Sequence, residues 1–263
     1  MILSRRAALN AIQLDQQDDS IVIRGTDPGK PNETLQSETK MGGSGQRPTF
    51  QHFDTLDATV TYAIDIYKRN LADRREVFDK VNAWALKKGW LTMNCMNGKR
   101  LYVDKVIVPG SGDMWNWTAD FTITFRAYSV PFWQDATATT KAIALADEGS
   151  GTFTVPGTAD TVCNAEIVNA GSNAIDTLSV KTGTSQMSFS SLGLAAGETL
   201  EIKHGNDGLM TVRIKNTSNV YRNARSKWTG GNADDLYVSP GSRQITITGG
   251  DVTATVSCFG RYV

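Results

Sequence analysis

Histidine and cysteine, the usual raw material of catalytic and metal sites, are scarce in this chain. Its 263 residues include two histidines, His52 and His204, and three cysteines, Cys95, Cys163 and Cys258. The cysteines are odd in number and far apart. They fit no zinc spacing, and no metal or cofactor is expected. They read as three buried thiols of a protein folded in a reducing cytosol. Neither histidine sits in a ligand spacing, and there is no GxSxG, Walker loop or HExxH. No apolar run approaches membrane-spanning length. The start, MILSRRAALN, lacks a signal-peptide core because Asn10, Gln13 and Asp15 interrupt its apolar residues. A soluble chain with no visible export signal is expected. Excess charge is missing too. There are 17 basic against 16 acidic residues up to position 135, and 10 against 11 after it. Neither part has the basic surplus of a protein that grips phosphates, although a neutral channel for nucleic acid stays compatible.

What the chain does have is alternation. The stretch WNWTADFTITFRAYSVPFW, from Trp115 to Trp133, contains a strand expected over 121–130 and ended by Pro131. Phe121, Ile123, Phe125 and Ala127 share one face, which requires a sheet behind it. Further strands are expected at 20–25, 58–67, 91–94 and 100–108. Asp73 and Glu76 form a capping-box pattern ahead of Val77, Phe78, Val81, Trp84 and Ala85. One amphipathic helix of about four turns is therefore expected over 73–88, with Gly89 as its stop. Residues 27–47, with two prolines and a GGSG tract, show no hydrophobic period. They read as a long loop, disordered in the isolated monomer and ordered against a neighbouring subunit.

From about residue 135 the texture changes. The 134–160 stretch is rich in small residues, Thr and Gly. Short alternating runs follow at 165–169, 176–181, 186–189, 199–204, 209–215, 243–248 and 252–258. Asn206-Asp207-Gly208 is a hairpin signal between two of them. The expected fold class is mainly β. Residues 1–135 form a β-sheet or small-barrel domain with one packed helix, and 136–263 form a sandwich or jelly roll.

Two constellations in the second part admit chemistry. Asp234-Asp235 follows Gly230-Gly231-Asn232, and paired carboxylates bind calcium or flank a glycosidic bond. Adjacent carboxylates before a strand are more often turn and capping residues. Trp228, with Tyr237 nearby, is a candidate sugar-stacking platform, against the plain reading of a core tryptophan. GSGD at 110–113 and GGSG at 42–45 are flexible turns without the helix start of a phosphate cradle.

Several blocks in fixed order resemble one family, the distal tail proteins of long, non-contractile-tailed bacteriophages. The first part resembles it through RPTFQHFDTLDATVTYAIDIY, the helix RREVFDKVNAWA and the closing strand FTITFRAYSVPFW. The second part does so through AEIVNAG, LGLAAGETLEIKHGNDG and ADDLYVSPGSRQITI. The resemblance covers nearly the whole chain and carries no catalytic residues. It implies a second domain that is a galectin-like or carbohydrate-module-like β-sandwich. It also implies a homo-hexameric ring at the virion tail tip, assembled in the host cytoplasm. Such a ring joins the tail tube protein to a tail-associated tip protein around a DNA-conducting channel. The outward second domains would hold a receptor-binding protein or touch host-surface saccharide. Two alternatives stay open: a carbohydrate-binding module, and a tail tube subunit whose 27–47 loop grips stacked rings. An enzyme is the least expected reading.

Overall fold

The computed structural model describes residues 7–14, 21–39, 46–64, 71–109, 120–145, 148–183, 185–206, 208–231 and 236–263. The chain divides into two compact units, Met1–Trp133 with Val263, and Gln134–Tyr262. The described residues are mainly antiparallel β structure and contain one α-helix.

The first unit contains β1 (Ala7–Leu9), β2 (Ile12–Gln13), β3 (Ile21–Asp27), β4 (Pro31–Thr39), β5 (Gln46–Ile64), α1 (Leu71–Ala85), β6 (Gly89–Met93), β7 (Lys99–Val103), β8 (Lys105–Ile107) and β9 (Asp120–Ala127). Strands β2, β1, β6 and β7 lie side by side in that order. A second sheet runs β3-β5-β9-β8, with β4 paired to β5. Strands β1, β6 and β7 bury alternate residues, as half-buried strands do. Leu91 and Leu101 are fully buried from the first sheet, and Val60, Tyr62, Ile123 and Phe125 are buried from the second. Helix α1 adds Val77, Val81 and Trp84. The Trp84 ring meets Phe125 edge-on with centroids 5.7 Å apart.

Several elements differ from the sequence expectation. The helix stops at Ala85 and Gly89 opens β6. Gly89 has φ +145°, and a Cβ there would lie 1.8 Å from Asn10 Oδ1. Asn10 spans this point: its Nδ2 donates to the Lys88 carbonyl at 2.8 Å, and the Trp90 N–H donates to its Oδ1 at 3.0 Å. The strand expected over 100–108 is cut at Asp104 into β7 and β8, which belong to different sheets. Residues 27–47, expected to be a disordered loop, supply β4 and the start of β5 in a long hairpin.

The second unit follows with β10 (Trp133–Asp135), β11 (Thr139–Leu145), β12 (Glu148–Val155), β13 (Thr161–Asn169), β14 (Leu178–Thr182), β15 (Ser185–Phe189), β16 (Thr199–His204), β17 (Met210–Lys215), β18 (Tyr221–Asn223), β19 (Trp228–Gly231), β20 (Tyr237–Val238), β21 (Gly241–Thr248), β22 (Val252–Cys258) and β23 (Arg261–Tyr262). One sheet runs β11-β22-β13-β16-β17-β18, with β20 on β13, and the other runs β12-β21-β14-β15-β19. Both contribute to one core that includes Ile167, Val180, Met187, Leu200, Ile202 and Ile245. This is a β-sandwich. The 134–160 stretch supplies β11 and β12. Its small residues have a packing reason: a Cβ on Gly151 would lie 2.9 Å from the Ile143 side chain.

Candidate assembly site

The β4–β5 hairpin outruns its sheet. Strand β9 pairs with β5 over Leu56–Ala63, and β3 pairs with it from Thr59 to Ile64. From Gln46 to Thr55, β4 is the ladder partner of β5 among the described residues. At about 3.3 Å per residue, this two-stranded arm is roughly 30 Å long. Register shifts at Asn32/Glu33 and Gln36/Ser37 break its regularity and add twist. A two-stranded ribbon is marginal alone in water and presents open edges. Its stability therefore depends on what fixes its base.

The base is fixed by residues at the end of the Trp115–Trp133 stretch. Asp104, buried at 6 % exposure, accepts the Tyr128 and Ser129 backbone N–H groups at 2.8 and 2.9 Å, and the Ser129 hydroxyl at 2.7 Å. These contacts end β9 at Ala127 and turn the chain toward Phe132 and Trp133. The Phe132 ring meets Phe53, on the arm side of β5, edge-on at 5.2 Å. The Trp133 indole N–H donates to the Pro28 carbonyl at 2.8 Å, in the turn between β3 and β4. Next to it, Gly29 has φ +63°, and its backbone N–H donates to Asp27 Oδ1 at 2.9 Å. A Cβ on Gly29 would lie 2.1 Å from the Asp57 backbone oxygen. The Asp57 carboxylate in turn takes a two-pronged ion pair from Arg126, at 2.8 and 2.6 Å, across the β5–β9 ladder. That partner raises the Arg126 pKa, first through the hydrogen bond and then through charge.

The arm was missed in sequence because residues 27–47 lack alternation. Alternation reports a strand with one face on a core, and a ribbon beyond its sheet has no such face. The PFW stop was visible as the end of a strand, but its partners Phe53 and Pro28 lie far away in sequence.

Of the sequence candidates in the second unit, Trp228 and Tyr237 lie on strands of different sheets. Trp228, on the outer strand β19, is partly buried and packs against the core, with its Nε1 donating to the Gly230 carbonyl at 3.1 Å. Tyr237 is 43 % exposed on β20, which pairs with β13 of the other sheet. Asp234 and Asp235 lie outside the described residues, as do Trp115 and Trp117. His204 ends β16, and Asn164 Oδ1 accepts its backbone N–H at 2.8 Å and lies 3.2 Å from its ring Nδ1. His52 falls on the arm, opposite Thr34. Cys163 and Cys258 are buried, as expected, whereas Cys95 is exposed. A short helical turn after β6 places Cys95 clear of the core.

The second unit also carries a polar cleft of about 350 Å³ between the 169–177 and 249–251 loops, lined by Asn169, Asp176 and Asp251 among others. The Asn169 side chain is occupied in closing this end of the sandwich: its amide donates to the Asn173 and Leu194 carbonyls, both at 2.8 Å. Nearby, Glu198 is held by Arg222, with one contact of 2.6 Å, and accepts the Ala195 N–H at 2.9 Å. The Arg222 hydrogen bond, aided by that of Ala195, keeps the Glu198 pKa below the usual range despite burial.

Comparison with known proteins places this architecture. No family model matches the sequence, and no curated protein does. Among solved structures, the Dit protein of phage SPP1 aligns over 99 % of this chain and 100 % of its own, with a TM-score of 0.70 and 11 % identity. That structure is described as a paradigm of the hub adsorption apparatus in phages infecting Gram-positive bacteria. A chain of the phage P2 baseplate in its activated conformation aligns over 98 % of both chains, with a TM-score of 0.48 and 9 % identity. The SPP1 protein is a phage hub protein, the group that the sequence blocks resemble. The chain has the fold of the SPP1 Dit protein from end to end.

Proposed function

We propose that this chain is a structural hub of a siphophage tail tip, without turnover chemistry. The full-length fold match to the SPP1 hub protein carries this reading. Six copies would form a ring joining the tail tube to the tip protein, with the first units around a DNA channel and the sandwiches outside. The arm supports the assembly part of the proposal. A ribbon of about 30 Å with open edges is stabilised by docking on a neighbour. A closed ring of identical subunits satisfies such head-to-tail contacts without growth into fibres. The balanced charge suits a conduit, because a basic lumen would retain the passing genome. Copy number on purified virions tests the proposal. A single ring's worth of chains at the tail tip supports it. Dozens of copies along the tail would identify a tube subunit, and absence from the virion would refute a tail role.

A further inference from the structure

We propose that Cys163 and Cys258 form an oxidative cross-link that staples β13 to β22 across the second unit. The two residues are direct partners in the antiparallel register of these strands. Both side chains are fully buried, on the same inward face. The Cys163 backbone N–H donates to the Leu236 carbonyl at 2.8 Å, on the side away from β22. Because N–H and C=O of a strand residue point the same way, Cys163 and Cys258 form a non-hydrogen-bonded pair. Such pairs bring Cα atoms to about 4.5 Å with side chains close together. A disulfide needs Cα atoms about 4.4–6.8 Å apart, so strand geometry already meets the requirement. The proximity of the paired thiols raises the Cys163 thiol and lowers that of Cys258.

The chemistry balances with a hydroperoxide as oxidant. The Cys258 sulfur attacks the peroxide oxygen, giving a sulfenic acid and one water. The Cys163 sulfur then attacks Cys258, the S–O bond breaks, an S–S bond forms and a second water leaves. Two thiols and one hydrogen peroxide thus give one disulfide and two waters. Hydrogen peroxide is small enough to enter through local strand opening, which larger disulfide oxidants are not. On the hub reading, the chain folds reduced in a cell and then works outside it, where such links persist. The link closes a loop spanning most of the second unit, the long-loop case in which chain entropy favours the largest stabilisation.

The test uses the full chain carrying Cys95→Ser, which removes the exposed thiol and leaves the buried pair. The protein is treated with hydrogen peroxide, and its free thiols are counted after unfolding. The proposal expects the count to fall from two to zero and the mass to drop by two hydrogens. A peptide joining Cys163 to Cys258 should appear. The melting temperature of the second unit should rise by about 10 °C and return after reduction. Two thiols still titrating, oxygen atoms added in place of hydrogens lost, or a lower melting temperature in the cross-linked form would each overturn it.

Discussion

Trp133→Phe isolates the contact that joins the end of the first unit to the base of its arm. Trp133 is 2 % exposed, and its indole N–H donates to the Pro28 carbonyl. Phenylalanine keeps an aromatic ring in the site and deletes the donor. Leaving the half-buried Pro28 carbonyl without that partner costs about 1–3 kcal/mol. The space left by the smaller ring adds about 1 kcal/mol. Together these lower the melting temperature of the first unit by roughly 6–15 °C, at about 3–4 °C per kcal/mol for a unit of this size. Calorimetry reads the stability, and hydrogen exchange with mass analysis reads the arm. Peptides covering 31–39 and 46–53 should exchange faster in the variant, because the turn that leads into β4 has lost its anchor. Wild-type melting together with unchanged exchange in both peptides would refute the reasoning.

Two further perturbations test other parts of the account. Gly29→Ala should destabilise the first unit by more than Gly98→Ala. Both glycines have positive φ, +63° and +71°, and share the strain of about 1–2 kcal/mol, but a Cβ meets backbone only at Gly29. Equal losses by calorimetry would remove the packing role of the Gly29 turn. Glu198→Gln should destabilise the second unit at neutral pH. The folded carboxylate titrates below its unfolded value of about 4.3, so its contribution is full above that pH and fades as pH falls through the folded value. Melting curves of the two proteins should therefore run apart from pH 5 to 8 and converge in acid. A gap that widens in acid would reverse the sign of the argument.

The strands that sequence reveals are those with one face on a core. Val252–Cys258 and Thr199–His204 were legible to the residue, and the buried set Phe121, Ile123, Phe125 and Ala127 was read correctly from period two. Edges set by tertiary contacts were not. Strand β9 was expected to run to Val130, but the Asp104 carboxylate takes the Tyr128 and Ser129 N–H groups and ends it at Ala127. The same buried carboxylate marks the split between β7 and β8, which local composition does not show. The arm was illegible for a third reason: polar ribbons carry no hydrophobic period, and their strands are specified by pairing alone. Of the candidate assembly site, the Pro131-Phe132-Trp133 stop was visible, while its clamp on Phe53 and Pro28 required the fold.

The central claim is a closed ring whose subunits are joined through the arm. Native mass measurement of the purified chain, beside a variant in which a short turn replaces residues 34–52, tests it most directly. The account expects a species near six times the 28.6 kDa of one chain, and a folded monomer for the shortened variant. A full-length chain that stays monomeric at high concentration, or a shortened variant that still closes the ring, would contradict it.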